Sequence, residues 1–174
     1  TVSLSAQSLI QGPSSSQTSY LTPTAPGWSA TSVLTVGDTI GSYKMVGLVD
    51  GLGAFSNGDG TLTLLTAHEI QSAANSYGSA VGTTRAHGAV GAFVSKWTIN
   101  TSTWQVVAGS DLIASPAGQM MWNGTTWAQP ASPYAISRLC SADLPALDAF
   151  WDANSNTGYL GRIFMTGEET GAEG

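Results

Sequence analysis

From Tyr43 onward, apolar residues alternate with polar ones or gather in short runs, and each run is closed by turn-forming residues. "YKMVGLVDGLGAF" (43–55), "TLTLLTAHEI" (61–70), "GAFVSKWTI" (91–99) and "TWQVVAG" (103–109) are rich in β-branched and aromatic residues and bounded by Gly, Asn and Asp. That pattern predicts strands. "SNGDG" (56–60) predicts a tight hairpin turn between the first two, because Asn-Gly and Asp-Gly accept positive φ. "NTSTW" (100–104) joins the next pair in the same way. "GQMMW" and "NGTTWAQP" predict one more turn-rich β segment, and "TGYLGRIFMTGEE" (157–169) returns to strand. A helix is expected only over "SADLPALDAFWDA" (141–153), where Ser141 or Asp143 offers a cap and Pro145 a first-turn residue. Residues 1–37 carry no charged side chain and are too rich in Ser, Thr and Pro for a helix, so an extended arm is expected there. Short strands at steady spacing predict an all-β fold, a sandwich or a propeller.

Composition narrows the function. Only 9% of the 174 residues are charged, while 42% are hydrophobic, enough for a core. A net charge of −6 and five scattered basic residues exclude a nucleic-acid surface, which needs clustered Lys and Arg. No apolar run is long enough to span a membrane as a helix. The polar composition and the first residue, Thr1, lead to the expectation of a mature exported protein, extracellular or periplasmic. Cys140 is the single cysteine, so it is a small hydrophobe, an intermolecular link or a metal ligand.

Two strands end on polar pairs. "TLLTAHE" stops at His68-Glu69 and "IFMTGEE" at Glu168-Glu169. A carboxylate at the end of a buried strand is costly unless it is paired or ligates a cation. With five basic residues in the chain, two outcomes stay open: a divalent cation such as calcium, which favours hard oxygen ligands, or simple solvation at the surface. His68 and His87 are the only histidines. Each is a candidate metal ligand or general acid, and each is equally read as a hydrogen-bonded structural residue. "NGDG" lacks the downstream Glu of a calcium loop, and "GLGAF" lacks the context of a dinucleotide fingerprint.

Four motifs in order resemble the amino-terminal part of the PhoX-type secreted alkaline phosphatases and their uncharacterised relatives. They are Asp50-Gly51 and Asp59-Gly60 leading into "TLTLLTAHE", then "RAHGAVGAFVSKW", then "RLCSADLP", then "RIFMTGEE". The resemblance covers residues 41–174, with Ala67-His68-Glu69 standing where the family has Asn-His-Glu. The acid pair also follows Cys140 at a greater distance than in the phosphatases. The resemblance implies a β-propeller around a metal cluster, with calcium ions and, in the phosphatase branch, iron held by the cysteine. It makes Glu69, Cys140, Glu168 and Glu169 metal ligands. It gives His68, His87 and Arg85 to the substrate, with Arg138 as a second candidate for a phosphate oxygen.

The expectation is therefore a partial β-propeller (blades in 38–174, arm in 1–37). A second chain, the carboxy-terminal part of the same precursor, would complete it. The expected function is a subunit of a secreted, calcium- and iron-dependent enzyme that hydrolyses phosphate monoesters. The alternative fold is a compact β-sandwich. The alternative function is a non-catalytic, calcium-stabilised surface or filament protein, with homo-oligomers formed through the arm.

Overall fold

The computed structural model describes residues 9–71 and 82–169. These residues are mostly β, with no α-helix and therefore no helix able to cross a membrane. The chain divides into two compact units. One comprises 1–46, 56–63 and 97–109, the other 47–55, 64–96 and 110–174.

The largest sheet has four strands in the order β5 (Val49–Ser56), β6 (Thr61–His68), β7 (Phe93–Asn100) and β8 (Val106–Asp111). These are the four runs expected from the sequence. The two short turns work as the sequence requires. At the first, Asn57 N–H donates to the Thr61 carbonyl (3.0 Å), Asp59 Oδ1 accepts from Thr61 N–H (3.0 Å), and Gly58 and Gly60 have φ of 79° and 83°. At the second, Asn100 Oδ1 accepts from Ser102 N–H and Thr103 N–H, both at 3.0 Å. Loops this short force neighbouring strands to run antiparallel. Along β7 the period of two is plain: Phe93, Ser95, Trp97 and Ile99 are buried, whereas Lys96 is exposed.

In the first unit, β1 (Leu9–Gln11) pairs in parallel with β2 (Ala30–Ser32), and β3 (Thr39–Ile40) pairs with β4 (Tyr43–Lys44). The described part of the expected arm is therefore folded. Buried Ser15 binds the Thr35 hydroxyl (2.7 Å), Asp38 Oδ2 accepts from Thr35 N–H (2.7 Å), and Val106 N–H donates to Ser14 Oγ (2.9 Å). Trp97 is fully buried and meets Tyr43 edge-on at 5.1 Å. A Cβ at Gly109 would lie 2.5 Å from the Trp97 ring, so only glycine lets β8 pass so close.

In the second unit, a hairpin of β9 (Met121–Trp122) and β10 (Trp127–Ala128) follows a single 3-10 turn at Pro116–Gly118. β11 (Leu139–Asp143) pairs antiparallel with β14 (Met165–Glu168), and β12 (Phe150–Asp152) with β13 (Thr157–Tyr159). A small core joins Ala67, Ala92 and Leu139 to the flanking Val94 and Ile136.

The helix expected over 141–153 does not form. Ser141, Ala142 and Asp143 continue β11, Phe150–Asp152 form β12, and turn bonds close between, from Ala149 N–H to the Ala146 carbonyl (3.1 Å) and from Trp151 N–H to the Asp148 carbonyl (3.0 Å). The local signal was a cap and a first-turn proline over barely three turns. Cross-strand pairing with 157–159 and 165–168 overrides a propensity that weak. No sheet closes on itself among the described residues.

Candidate functional site

β6 ends inside the second unit. Thr66, Ala67 and His68 are fully buried, so both faces of the strand end are covered, and Glu69, the first residue past the strand, is partly exposed. The two polar residues that close the strand thus enter two different environments.

His68 goes inward. Its Nε2 lies 2.7 Å from Ser95 Oγ, and its ring stacks on Phe93 with centroids 4.3 Å apart and planes 13° from parallel. The Arg85 guanidinium covers Phe93 at 3.6 Å from the ring centroid. Two flat groups that close must take opposite faces of the ring. Arg85 donates to Asp111 Oδ1, and Ala86 N–H donates to Asp111 Oδ2 at 2.8 Å. "RAHGA" is the tight turn that makes this geometry. Gly88 N–H returns to the Arg85 carbonyl (2.9 Å), Gly88 has φ of 95°, and a Cβ there would be 2.8 Å from Pro133. His87 is buried within the same turn, and its Nε2 has no hydrogen-bond partner among the described residues. Burial pushes its pKa down, the Asp111 carboxylate opposes this, and Arg85 adds to it. His68, His87 and Arg85 are thus brought into one interior, shielded from water.

Glu69 goes to an open edge, where three segments distant in sequence converge. Arg138 donates through Nε to Glu69 Oε1 (3.0 Å), and its Nη2 contacts both Glu69 Oε1 and Glu169 Oε2, the latter at 2.6 Å. Its backbone repeats the link, with Arg138 N–H donating to the Ile70 carbonyl (3.1 Å) and Glu169 N–H to the Arg138 carbonyl (3.2 Å). The hydrogen bond to Glu69, with Glu169 adding, raises the Arg138 pKa. Side-chain exposure is 33% for Arg138, 23% for Glu69 and 43% for Glu169, so solvent reaches all three.

Glu168 and Glu169 part company. Glu168 Oε1 accepts from Ser137 N–H at 2.7 Å and its carboxylate lies 3.3 Å from the Tyr134 hydroxyl, away from the Arg138 bridge. Cys140 is half-buried beside Glu169. Burial raises its thiol pKa first, and a hydrogen bond to Glu169 with the Glu169 and Asp50 charges raises it further. The neutral thiol is the form this setting favours. Asp50 accepts from Ser141 N–H at 3.0 Å. β11 lies close on β5 here: a Cβ at Gly51 would be 2.3 Å from the Ser141 carbonyl carbon, and one at Gly53 2.7 Å from Leu144 Cβ.

The backbone is strained at this edge. Leu48, Arg138 and Ser141 have φ of 44°, 49° and 51°, three of the five left-handed non-glycine residues among those described. Leu48 bears directly on the site, since its carbonyl accepts from Glu69 N–H at 2.8 Å.

The four expected ligands were tested against this geometry. A guanidinium already stands between Glu69 and Glu169, and Glu168 is engaged elsewhere. Among the described residues, no group of three or more His, Cys, Asp or Glu side chains is gathered to hold a metal ion. As arranged, these residues do not fit calcium or iron.

Sequence reasoning missed two residues, Arg138 as a bridge and Asp111 as the partner of Arg85. The sequence shows only that bases are few beside the acids, which does not say which acid each arginine meets. Comparison with protein families, with curated proteins and with solved structures returned no match.

Proposed function

We propose that the chain is one portion of an exported, phosphoesterase-like β protein, and that the edge around Arg138 is its share of the functional centre. The observation that carries this reading is the concentration of left-handed non-glycine residues, Leu48, Arg138 and Ser141, around the Glu69–Arg138–Glu169 bridge. Such conformations cost energy and persist where the surrounding structure over-determines them, and they cluster at functional sites. A second support is that the meeting segments are ones that carry the resemblance to the secreted phosphatases, "TAHE", "RLCSADLP" and "GEE".

In this reading the sheet β5–β8 is a blade of a propeller completed by a second chain from the same precursor. The exposed Leu48, Val49 and Leu52 are surfaces such a partner would cover. Calcium and iron belong to the completed protein, where they would supply Lewis acidity. What this chain contributes is positional. Glu69 and Glu169 present carboxylates at an open edge, Glu168 fixes the Ser137 backbone, and the buried His68–Phe93–Arg85 stack holds β6 and β7 behind it.

The test is hydrolysis of p-nitrophenyl phosphate by the native protein, with native mass and metal content measured on the same sample. The reading expects a species heavier than the chain, bound metal, and turnover lost in Glu169→Gln while the fold survives. A metal-free protein without turnover, or full activity in Glu169→Gln, overturns it.

One observation favours the non-catalytic alternative. β1 and β2 form a two-stranded sheet carrying the exposed Leu9 and Ile10, an edge suited to strand addition between copies. Concentration-dependent assembly without turnover, abolished by Ile10→Lys, would select it.

A further inference from the structure

We propose that Arg138 is the resident counter-ion of this edge and that, in the chain as it stands, it keeps divalent cations out. The proposal goes beyond phosphoester chemistry, because it concerns what occupies the carboxylates rather than what reacts there.

Three features support it. The first is occupancy. Glu69 Oε1 takes two donors from the guanidinium and Glu169 Oε2 a third contact, so one oxygen of each carboxylate is already bound and a positive charge stands where a cation would neutralise the pair. A planar fork can satisfy two carboxylates at once in a way a point charge cannot. The second is anchoring. The Arg138 N–H is held by Ile70 and its carbonyl by Glu169 N–H, so the base of the side chain is pinned to both acid-bearing segments. The left-handed φ of 49° shows that the backbone adopts an unfavourable shape to keep it there. The third is access. With 33% of the Arg138 side chain and 43% of Glu169 exposed, ions can reach the edge, so exclusion must come from the guanidinium and not from burial.

The local charge follows. Two carboxylates and one guanidinium sum to one negative charge. Replacing the guanidinium by a neutral group leaves two facing carboxylates at a solvent-accessible edge. That arrangement attracts a hard divalent ion. For the completed protein an order of events results: the guanidinium must swing away before a cation can bind these oxygens.

Calcium chloride alone is the probe, titrated calorimetrically into the full chain as wild type, Glu69→Gln, Arg138→Gln and Arg138→Lys. Wild type is expected to show no binding that Glu69→Gln removes. Arg138→Gln is expected to bind calcium roughly tenfold or more tighter than wild type and to gain thermal stability from it. Arg138→Lys should fall between. Calcium binding in wild type that Glu69→Gln abolishes overturns the proposal, as does equal binding in wild type and Arg138→Gln. Should Arg138→Gln fail to fold, the wild-type and Glu69→Gln titrations together with Arg138→Lys still decide. None of these readouts depends on turnover, so an inactive protein leaves the test intact.

Discussion

The second unit contains two arginine–carboxylate centres built on opposite principles. Arg85 meets one carboxylate, Asp111, with side-chain exposures of 11% and 6%, and its flat face lies on Phe93. Arg138 meets two carboxylates at an open edge on a strained backbone. In the interior, charge removed from water has to be matched group for group, and Asp111 also takes the Ala86 N–H. At the edge, water screens the charges, and a bridge contributes little to folding. Left-handed non-glycine backbone accompanies the edge, at Leu48, Arg138 and Ser141, and not the interior pair.

The sharpest way to break this contrast is Asp111→Ala, which leaves a buried guanidinium without its carboxylate. We expect a loss of about 3–5 kcal/mol in denaturant unfolding, against a several-fold smaller loss for Glu169→Gln. Equal losses would erase the distinction. Next in size is Phe93→Leu, which keeps an apolar side chain but deletes the ring shared by His68 and Arg85. A cost of about 1–3 kcal/mol is expected, from lost packing and cation–π attraction together.

Acid should act on the interior through His87. Burial lowers the folded-state pKa of His87 below its ordinary 6.5, so the unfolded chain takes up the proton first. His87 therefore contributes stability that is present above pH 6.5 and is lost as pH falls towards its lowered value. Thermal melts of wild type should decline over that window, and His87→Gln should decline less. A matching decline in both would remove His87 as the cause. The smallest effect is chemical. Glu169→Gln removes a carboxylate that raises the Cys140 pKa, so alkylation of this thiol near neutral pH should speed up. An unchanged rate would mean that Glu169 does not govern the thiol.

These two centres also show what the sequence could reveal. The strands β5 to β8 and their turns were legible because each depends on neighbours a few residues away: alternation along "FVSKWTIN", Asn-Gly and Asp-Gly at 57–60. The gathering of residues 69, 138–140 and 168–169 was legible only through the motifs that resemble a family. The partner choices were not. Nothing local says that Glu69 will find Arg138 rather than a cation, because the two lie 69 positions apart and meet through the packing of β11. The two histidines were equally ambiguous. His68 and Glu69 are adjacent, and what separates them is that β6 ends at buried His68 while Glu69, just past it, meets Arg138. The expected helix failed because a weak local signal lost to strand partners further along the chain.

β11 and β14 pair directly, yet the chain between them makes a long detour. Leu144 and Phe164 come back to the same place, both within about 3 Å of where a Gly53 Cβ would stand. Between them, the hairpin β12–β13 turns at exposed Asn154 and Asn156. The excursion is therefore modular. Its length can change without disturbing the register that sets Arg138 between its two acids. A fluorescent reporter or affinity tag spliced in at Asn154 would report on this protein while leaving the Glu69–Arg138–Glu169 bridge untouched.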